Sequence, residues 1–235
     1  MTNISIVIPI FNESENIKNL VFEIFDSLDK NEINFELILV DDGSNDNTLD
    51  VVNNLKKSFE INLIKNNINS GQSFSILKGI KNSLYDIIVT LDGDGQNNPS
   101  DINKLIEIYA ANNDVSLVGG IRQKRKDSFV KRFSSIIANK IRSFILRDNC
   151  IDTGCSLKIF KKNIFMKFPY FDGMHRFLPA LFIGFGQKTI FINVDHRPRK
   201  AGISKYGTID RLFRGIRDIL KVLIILQREK KKKND

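Results

Sequence analysis

The sequence predicts an α/β fold with a mostly parallel central sheet and helices on both faces. Three observations predict it. Apolar runs of strand length alternate with stretches whose apolar residues recur at helical spacing. That alternation is the pattern of a parallel sheet built from strand–helix–strand units. Acids collect at the ends of successive runs, where such sheets bind their ligands. With 235 residues and 42% hydrophobic content, the chain is long and apolar enough for one such domain with a real core.

The elements follow in order. Residues 4–9 (Ile-Ser-Ile-Val-Ile-Pro) read as a buried first strand, with Pro9 ending its ladder. Asn12 and Glu15 have the spacing of a capping box, and Ile17, Leu20, Val21, Ile24, Phe25 and Leu28 continue as a helix. Residues 35–40 form the second strand, running into Asp41-Asp42-Gly43-Ser44, and a helix is expected over 47–59. A third strand at 61–64 precedes Asn69-Ser70-Gly71-Gln72, which opens a helix bearing Phe74, Leu77 and Ile80. The fourth strand, 87–91, leads into Asp92-Gly93-Asp94-Gly95-Gln96. Pro99 starts a helix with Ile102, Leu105, Ile106 and Tyr109, and 115–118 is a fifth strand ending at Gly119-Gly120.

Net charge is +9, from 36 Lys and Arg against 27 Asp and Glu. The first hundred residues are rich in acids, while 122–147 and 197–233 are strongly basic. That asymmetry points to an anionic partner. No helix-turn-helix or aromatic-interleaved RNA motif is visible, so nucleic acid is not the expected one. Two cysteines, Cys150 and Cys155, are too few for a disulfide framework and lack zinc-ligand company. No signal peptide is evident at the start, and no apolar stretch reaches the ~20 residues that span a bilayer.

The stretch around Asp92 and Asp94 carries the most chemistry. Two carboxylates and the Gln96 amide at one glycine-rich turn make a hard-oxygen site suited to Mg²⁺ or Mn²⁺. The same residues are also ordinary turn chemistry, so their company decides. Pro9, Asn12, Glu13, Asp41, Asp42 and Gly71 fall at the same ends of the strands, and the acids are expected to converge on one crevice. No Gly-x-Gly-x-x-Gly follows the first strand and no Walker loop occurs, so this is not a dinucleotide-binding pattern.

Taken together, Pro9-x-x-Asn12-Glu13, Asp41-Asp42-Gly43-Ser44 and Asp92-x-Asp94 resemble the family-2 inverting glycosyltransferases of the GT-A fold. The likeness covers nearly the whole chain. It is similar in particular to the dolichol-phosphate mannose synthase branch, whose acceptor is a polyprenyl phosphate. Asp92 through Pro99, Gly120-x-Arg122, Asp152-Thr153-Gly154-Cys155, His175-Arg176-Phe177 and His196-Arg197-Pro198-Arg199-x-x-Gly202-x-Ser204-Lys205-Tyr206 carry that likeness. Gln72 departs from it, since many members have Lys there.

The resemblance implies that Pro9, Asn12, Glu13, Asp41, Asp42 and Gly71 hold the nucleotide-sugar donor. It implies that Asp92, Asp94 and Gln96 bind the metal under the diphosphate. Arg199 and Lys205, on a lid, would counter the leaving charge and count with Asp92 and Asp94 as catalytic. Arg122, Lys131, Arg132, Ser135 and Ser204 would meet the acceptor phosphate. GDP-mannose is the first donor expected, with UDP-glucose or a UDP-uronic acid as rivals. The implied catalytic domain spans 1–207, with a donor half to about 120 and an acceptor half from about 121.

Asp152 is the one candidate general base. A phosphate monoester is already ionised near pH 7, so its expected role is positioning. Residues 129–145 carry apolar residues at helical spacing, with Lys131, Arg132, Lys140, Arg142 and Arg147 on the other face. Residues 208–235 read as an amphipathic helix and basic tail lying on an anionic membrane surface. The expected location is therefore cytoplasmic, peripheral to the membrane. Two other readings stay open: a family-2 enzyme acting on a saccharide or glycolipid hydroxyl, and a non-enzymatic basic binding protein. The chain has no Trp, so it lacks the Gln-x-x-Arg-Trp motif of processive relatives.

Overall fold

A computed structural model of the chain describes residues 2–28, 32–123, 142–198 and 208–234, with side chains in the last segment described for 215–232. Seven strands form one sheet, in the order β3-β2-β1-β4-β6-β5-β7. The strands are β1 (Thr2–Ile10), β2 (Ile33–Asp41), β3 (Ile61–Lys65), β4 (Ile87–Thr90), β5 (Val115–Arg122), β6 (Lys158–Lys161) and β7 (Lys188–Val194). β1 pairs in parallel with both β2 and β4, and β2 with β3. β6 runs antiparallel between β4 and β5, and β5 pairs in parallel with β7. The mostly parallel sheet expected from the sequence is present, with one antiparallel insertion at β6.

The helices are α1 (Ile17–Ser27), α2 (Thr48–Leu55), α3 (Gln72–Lys81), α4 (Asp101–Ala111), α5 (Lys162–Phe165), α6 (Leu178–Gly184) and α7 (Thr208–Asn234). Residues 142–146 are also helical, and a 3₁₀ turn covers Met174–Arg176. Two apolar clusters flank the sheet. One joins α1, α2 and α4 through Leu20, Val52 and Leu105 to inward residues of β1 such as Ile6 and Ile8. The other gathers α3, α5 and α6 around Val7, Ile80, Phe160 and Phe182. Adjacent strand residues Ile6 and Val7 thus serve opposite faces, as the period of a strand requires. That is why the strands read as continuous apolar runs.

Three local expectations need correction. Asn12 does not cap α1. It sits at φ 55°, and the helix starts at Ile17 after Asn16. Its side chain is taken by Asn45, whose Oδ1 accepts from Asn12 Nδ2 at 2.7 Å, so the box partner Glu15 has nothing to complete. The ladder does not stop at Pro9: pairing to β2 continues to Ile10 opposite Asp41, and only the β4 side ends, at Val7. The third lies in the 129–145 stretch. Its described end turns Arg142 inward, at 5% exposure, while Phe144 is 86% exposed. Arg142 pairs with buried Asp148 at 2.5 Å and donates to the Cys150 carbonyl. A buried carboxylate thus draws this cation off the solvated face predicted for it.

Helix α7 docks on the body at Gly184, where a Cβ would come 2.1 Å from Leu226. Val222 is fully buried, and Asp218 is buried and bonded to Arg176 at 2.7 Å. Among the described residues, no helix is long and apolar enough to cross a membrane. Both cysteines are free and buried, and burial pushes the Cys155 thiol up to about 11.

Candidate active site

Because β1, β2 and β4 are parallel neighbours, their C-terminal loops meet. Asp42 donates its backbone N–H to Ile10 O at 2.8 Å, tying the ends of β2 and β1. Asn12 N bonds Ser44 Oγ and Glu13 N bonds Thr48 Oγ1, so the β1–α1 loop is stitched to the β2–α2 loop. The Asp92 turn packs against the same loop. A Cβ on Gly93 would lie 2.8 Å from Ile10 Cγ2 and 3.2 Å from Pro9 O, so only glycine allows this approach. The expected convergence of Pro9, Asn12, Glu13, Asp41, Asp42, Gly71, Asp92 and Asp94 is present.

Within that crevice the two acids of β2 differ. Asp41 is 1% exposed, and its Oδ2 accepts from Ser44 N at 3.2 Å. Its Oδ1 is buried and accepts no hydrogen bond among the described residues. Both oxygens of Asp42 are engaged: Asn66 Nδ2, Ser70 N and Gly71 N all donate to it, at 2.8–2.9 Å. Asp42 therefore builds the loop that begins α3, and Gly71 takes φ +92° to turn into it. The next residue, Gln72, donates from Nε2 to Asp92 Oδ1 at 2.7 Å.

The Asp92–Asp94 pair has the chemistry of a divalent-cation site. Burial, and then the neighbouring Asp94 carboxylate, push the Asp92 carboxyl up to about 6. Two like charges held this close are relieved by a cation. Asp94 Oδ1 accepts from Gln96 N at 3.1 Å, and the Gln96 side-chain amide donates to Arg197 O at 3.3 Å, which leaves its oxygen as an acceptor. Among the described residues no group of three or more His, Cys, Asp or Glu is placed to hold a metal ion by itself. Two carboxylates and one amide oxygen fit Mg²⁺ or Mn²⁺ only if water and substrate phosphates complete the shell, as is usual for Mg²⁺.

The other wall comes from the second half of the chain. Asp152 clamps Arg122 through three bonds: Nε at 2.8 Å, Nη2 at 2.7 Å and the backbone N at 3.0 Å. The pair is nearly buried, and the Arg122 charge reaches Asp92 and helps hold its pKa down. Lys158, buried on β6, sits opposite Thr90 and donates to the Cys155 carbonyl. His196 bridges Asn97, and Arg197 N donates to Gln96 O at 2.9 Å, so the chain leaving β7 runs along the metal-type loop. Lys131, Arg132, Ser135, Arg199, Ser204 and Lys205 lie outside the described residues.

Between Asp92 and the 3₁₀ turn lies a cavity of about 220 Å³, lined among others by Gln72, Lys158, His175 and Arg176. His175 Nδ1 is 2.6 Å from Ser73 Oγ, and burial pushes the imidazole down to about 3. Lys158, the Gln72–Asp92 bond and the Ser73–His175 pair were not legible beforehand. Gln72 stands out in the sequence for its difference from the resembling enzymes and His175 as part of the His175-Arg176-Phe177 segment, but neither one's partner is readable there.

The model for "Glycosyl transferase family 2" matches residues 5–168. The chain belongs to glycosyl transferase family 2. Among relatives of this family-2 chain is the dodecaprenyl-phosphate galacturonate synthase of Rhizobium johnstonii, 35% identical over 95% of the chain and 67% of the relative. Another is the undecaprenyl-phosphate 4-deoxy-4-formamido-L-arabinose transferase of Edwardsiella ictaluri, 32% identical over 87% of the chain and 63% of the relative. The chain thus spans about two thirds of the length of these relatives, slightly less for the second. Both relatives are named for sugar transfer involving a polyprenyl phosphate. Glucosyl-3-phosphoglycerate synthase of Mycobacterium tuberculosis, solved with Mn²⁺, UDP and glucosyl-3-phosphoglycerate, shares the fold at TM-score 0.71. It is 16% identical, and the match covers 96% of the chain and 80% of that structure. The GT-A type of fold expected from the sequence is therefore present.

Proposed function

We propose that this family-2 enzyme transfers a sugar from a nucleotide sugar to a polyprenyl phosphate, with inversion at the anomeric carbon. One observation carries the reading: an acidic pair apt for a cation faces, within electrostatic reach, an arginine held in a carboxylate clamp. The first suits a donor diphosphate, and the second suits an anionic acceptor. A planar guanidinium fixed on one edge by Asp152 keeps further N–H groups for phosphate oxygens. An acceptor phosphate oxygen forms the new bond to the anomeric carbon. The bond from that carbon to the diphosphate oxygen breaks, and the nucleoside diphosphate leaves with the electron pair. A divalent ion held by Asp92, Asp94 and Gln96 would supply charge neutralisation for that leaving group.

Asp152, already bonded to Arg122, acts by positioning. The lid residues Arg199, Ser204 and Lys205 and the acceptor residues Lys131, Arg132 and Ser135 keep the roles implied by the resemblance. In this reading the catalytic domain covers 1–207, followed by a helix with a basic tail over 208–235.

One observation favours a uridine donor, and a second counts against the mannose first expected. Among the described residues one buried oxygen of Asp41 has no partner, which suits a base with a single ring N–H; guanine presents two adjacent donors. The relatives are named for galacturonate and 4-deoxy-4-formamido-L-arabinose, not mannose. On α7, Ile216, Leu220 and Ile224 are 50–55% exposed along one face, beside Arg217, Arg228 and Lys231. That pattern supports a helix lying on an anionic membrane surface, facing the lipid acceptor. The test is incubation with membranes and labelled UDP- and GDP-sugars. Metal-dependent label in the lipid extract is expected. Label entering only soluble saccharide or glycolipid would favour the hydroxyl-acceptor reading.

A further inference from the structure

The cavity beside Asp92 is not accounted for by the diphosphate or by the acceptor. At about 220 Å³ it is smaller than the ~300–1,000 Å³ of pockets for drug-sized ligands, and it is of the size for one sugar ring. It opens on the acid proposed to sit under the diphosphate, and the transferred sugar is covalently next to that group. Its lining is mixed, as the faces of a pyranose are: Ile76 and Leu178 are apolar, while Gln72, Ser156 and His175 stand with Asp92.

The state of His175 follows from its neighbour. Ser73 is 1% exposed, and its Oγ accepts from Gly173 N at 3.0 Å. A hydroxyl has one proton to give, and among the described residues the only acceptor in reach of it is His175 Nδ1, at 2.6 Å. Ser73 therefore donates and Nδ1 accepts, which puts the imidazole proton on Nε2. Burial keeps the ring neutral well below physiological pH. The ring is held from behind by α3, the helix whose first residue, Gln72, holds Asp92. One rigid unit thus orients both an acid and a neutral N–H donor around the cavity. A neutral donor reads a hydroxyl without competing with a metal ion for the site.

We infer that His175 reads one hydroxyl of the transferred sugar ring in this cavity, through Nε2–H. The inference rests on the transferase reading above. The two nitrogens of His175 can be tested apart. Asn places a polar atom near Nδ1, so His175→Asn keeps an acceptor for Ser73 and loses the sugar contact. Gln places its amide nitrogen near Nε2, so His175→Gln keeps the sugar contact. The probes are UDP-galacturonate, UDP-glucose and GDP-mannose against UDP and GDP alone, each titrated calorimetrically into the full chain with Mn²⁺.

For whichever nucleotide sugar the wild type binds, His175→Asn is expected to weaken it roughly 2- to 12-fold, the range of one neutral hydrogen bond. Affinity for the matching free diphosphate should stay unchanged in the same protein, and His175→Gln should recover most of the loss. Equal losses for sugar nucleotide and free diphosphate would overturn the inference, as would no loss for either. Wild-type protein that binds no nucleotide at all would instead overturn the transferase reading beneath it.

Discussion

Replacing Asp152 by Asn separates positioning from proton abstraction. In the wild type, Asp152 takes two guanidinium bonds and one backbone bond from Arg122, with side-chain exposures of 7% and 15%. Asn is nearly isosteric and keeps one acceptor oxygen, but it carries no charge. Arg122 is then left mostly buried without its counter-charge. Breaking a buried pair from one side costs about 3–5 kcal/mol. The remaining bonds and the 15% exposure of Arg122 put the expected loss at the low end, about 3 kcal/mol, readable by urea denaturation. In kinetics, Arg122 loses its fixed orientation, so the KM for polyprenyl phosphate should rise about tenfold or more, the equivalent of roughly 1.4 kcal/mol. The pH profile should keep its shape. A base would behave otherwise. Its removal would cost about 10²–10⁴ in kcat, with acceptor KM little changed and one limb of the pH profile gone. That second pattern, in a folded variant, would refute the clamp.

Other outcomes follow from the same geometry. Chelation by EDTA should abolish turnover and Mn²⁺ should restore it; because the Asp92 carboxyl sits near 6, Mn²⁺ affinity measured by electron paramagnetic resonance should weaken as pH falls from 7 through 6, when a proton competes for that oxygen. His175 has a native pKa of about 3, below the 6.5 of the unfolded chain, so the unfolded state takes up the proton first. Native stability should therefore fall as pH drops below 6.5, and His175→Gln should flatten that part of a stability-against-pH curve. Gly184→Ala forces a methyl into the seat of Leu226 on α7. Overpacking of this kind costs about 1–3 kcal/mol, and the variant should lose both melting temperature and affinity for anionic vesicles.

The sequence by itself determined the alternation of strands and helices, because a strand covered on both faces must be apolar throughout. It also determined where the acids gather, because parallel strands send all their C-terminal loops to one end. Asp41, Asp92 and Asp94 were legible for that reason. Tertiary structure alone decided which way a given face turns. Helical spacing put Arg142 opposite Phe144, but only the buried Asp148 made the arginine the inner residue. β6 escaped notice because lysines at both ends leave it only two apolar residues, and its place between β4 and β5 is fixed by pairing, not by pattern. The division of labour among acids was equally invisible. Asp41 and Asp42 are chain neighbours of one type, yet three donors converge on Asp42 while, among the described residues, one buried oxygen of Asp41 has no partner. Hydrogen-bond partners come from residues far along the chain, and their identity is a property of the folded state.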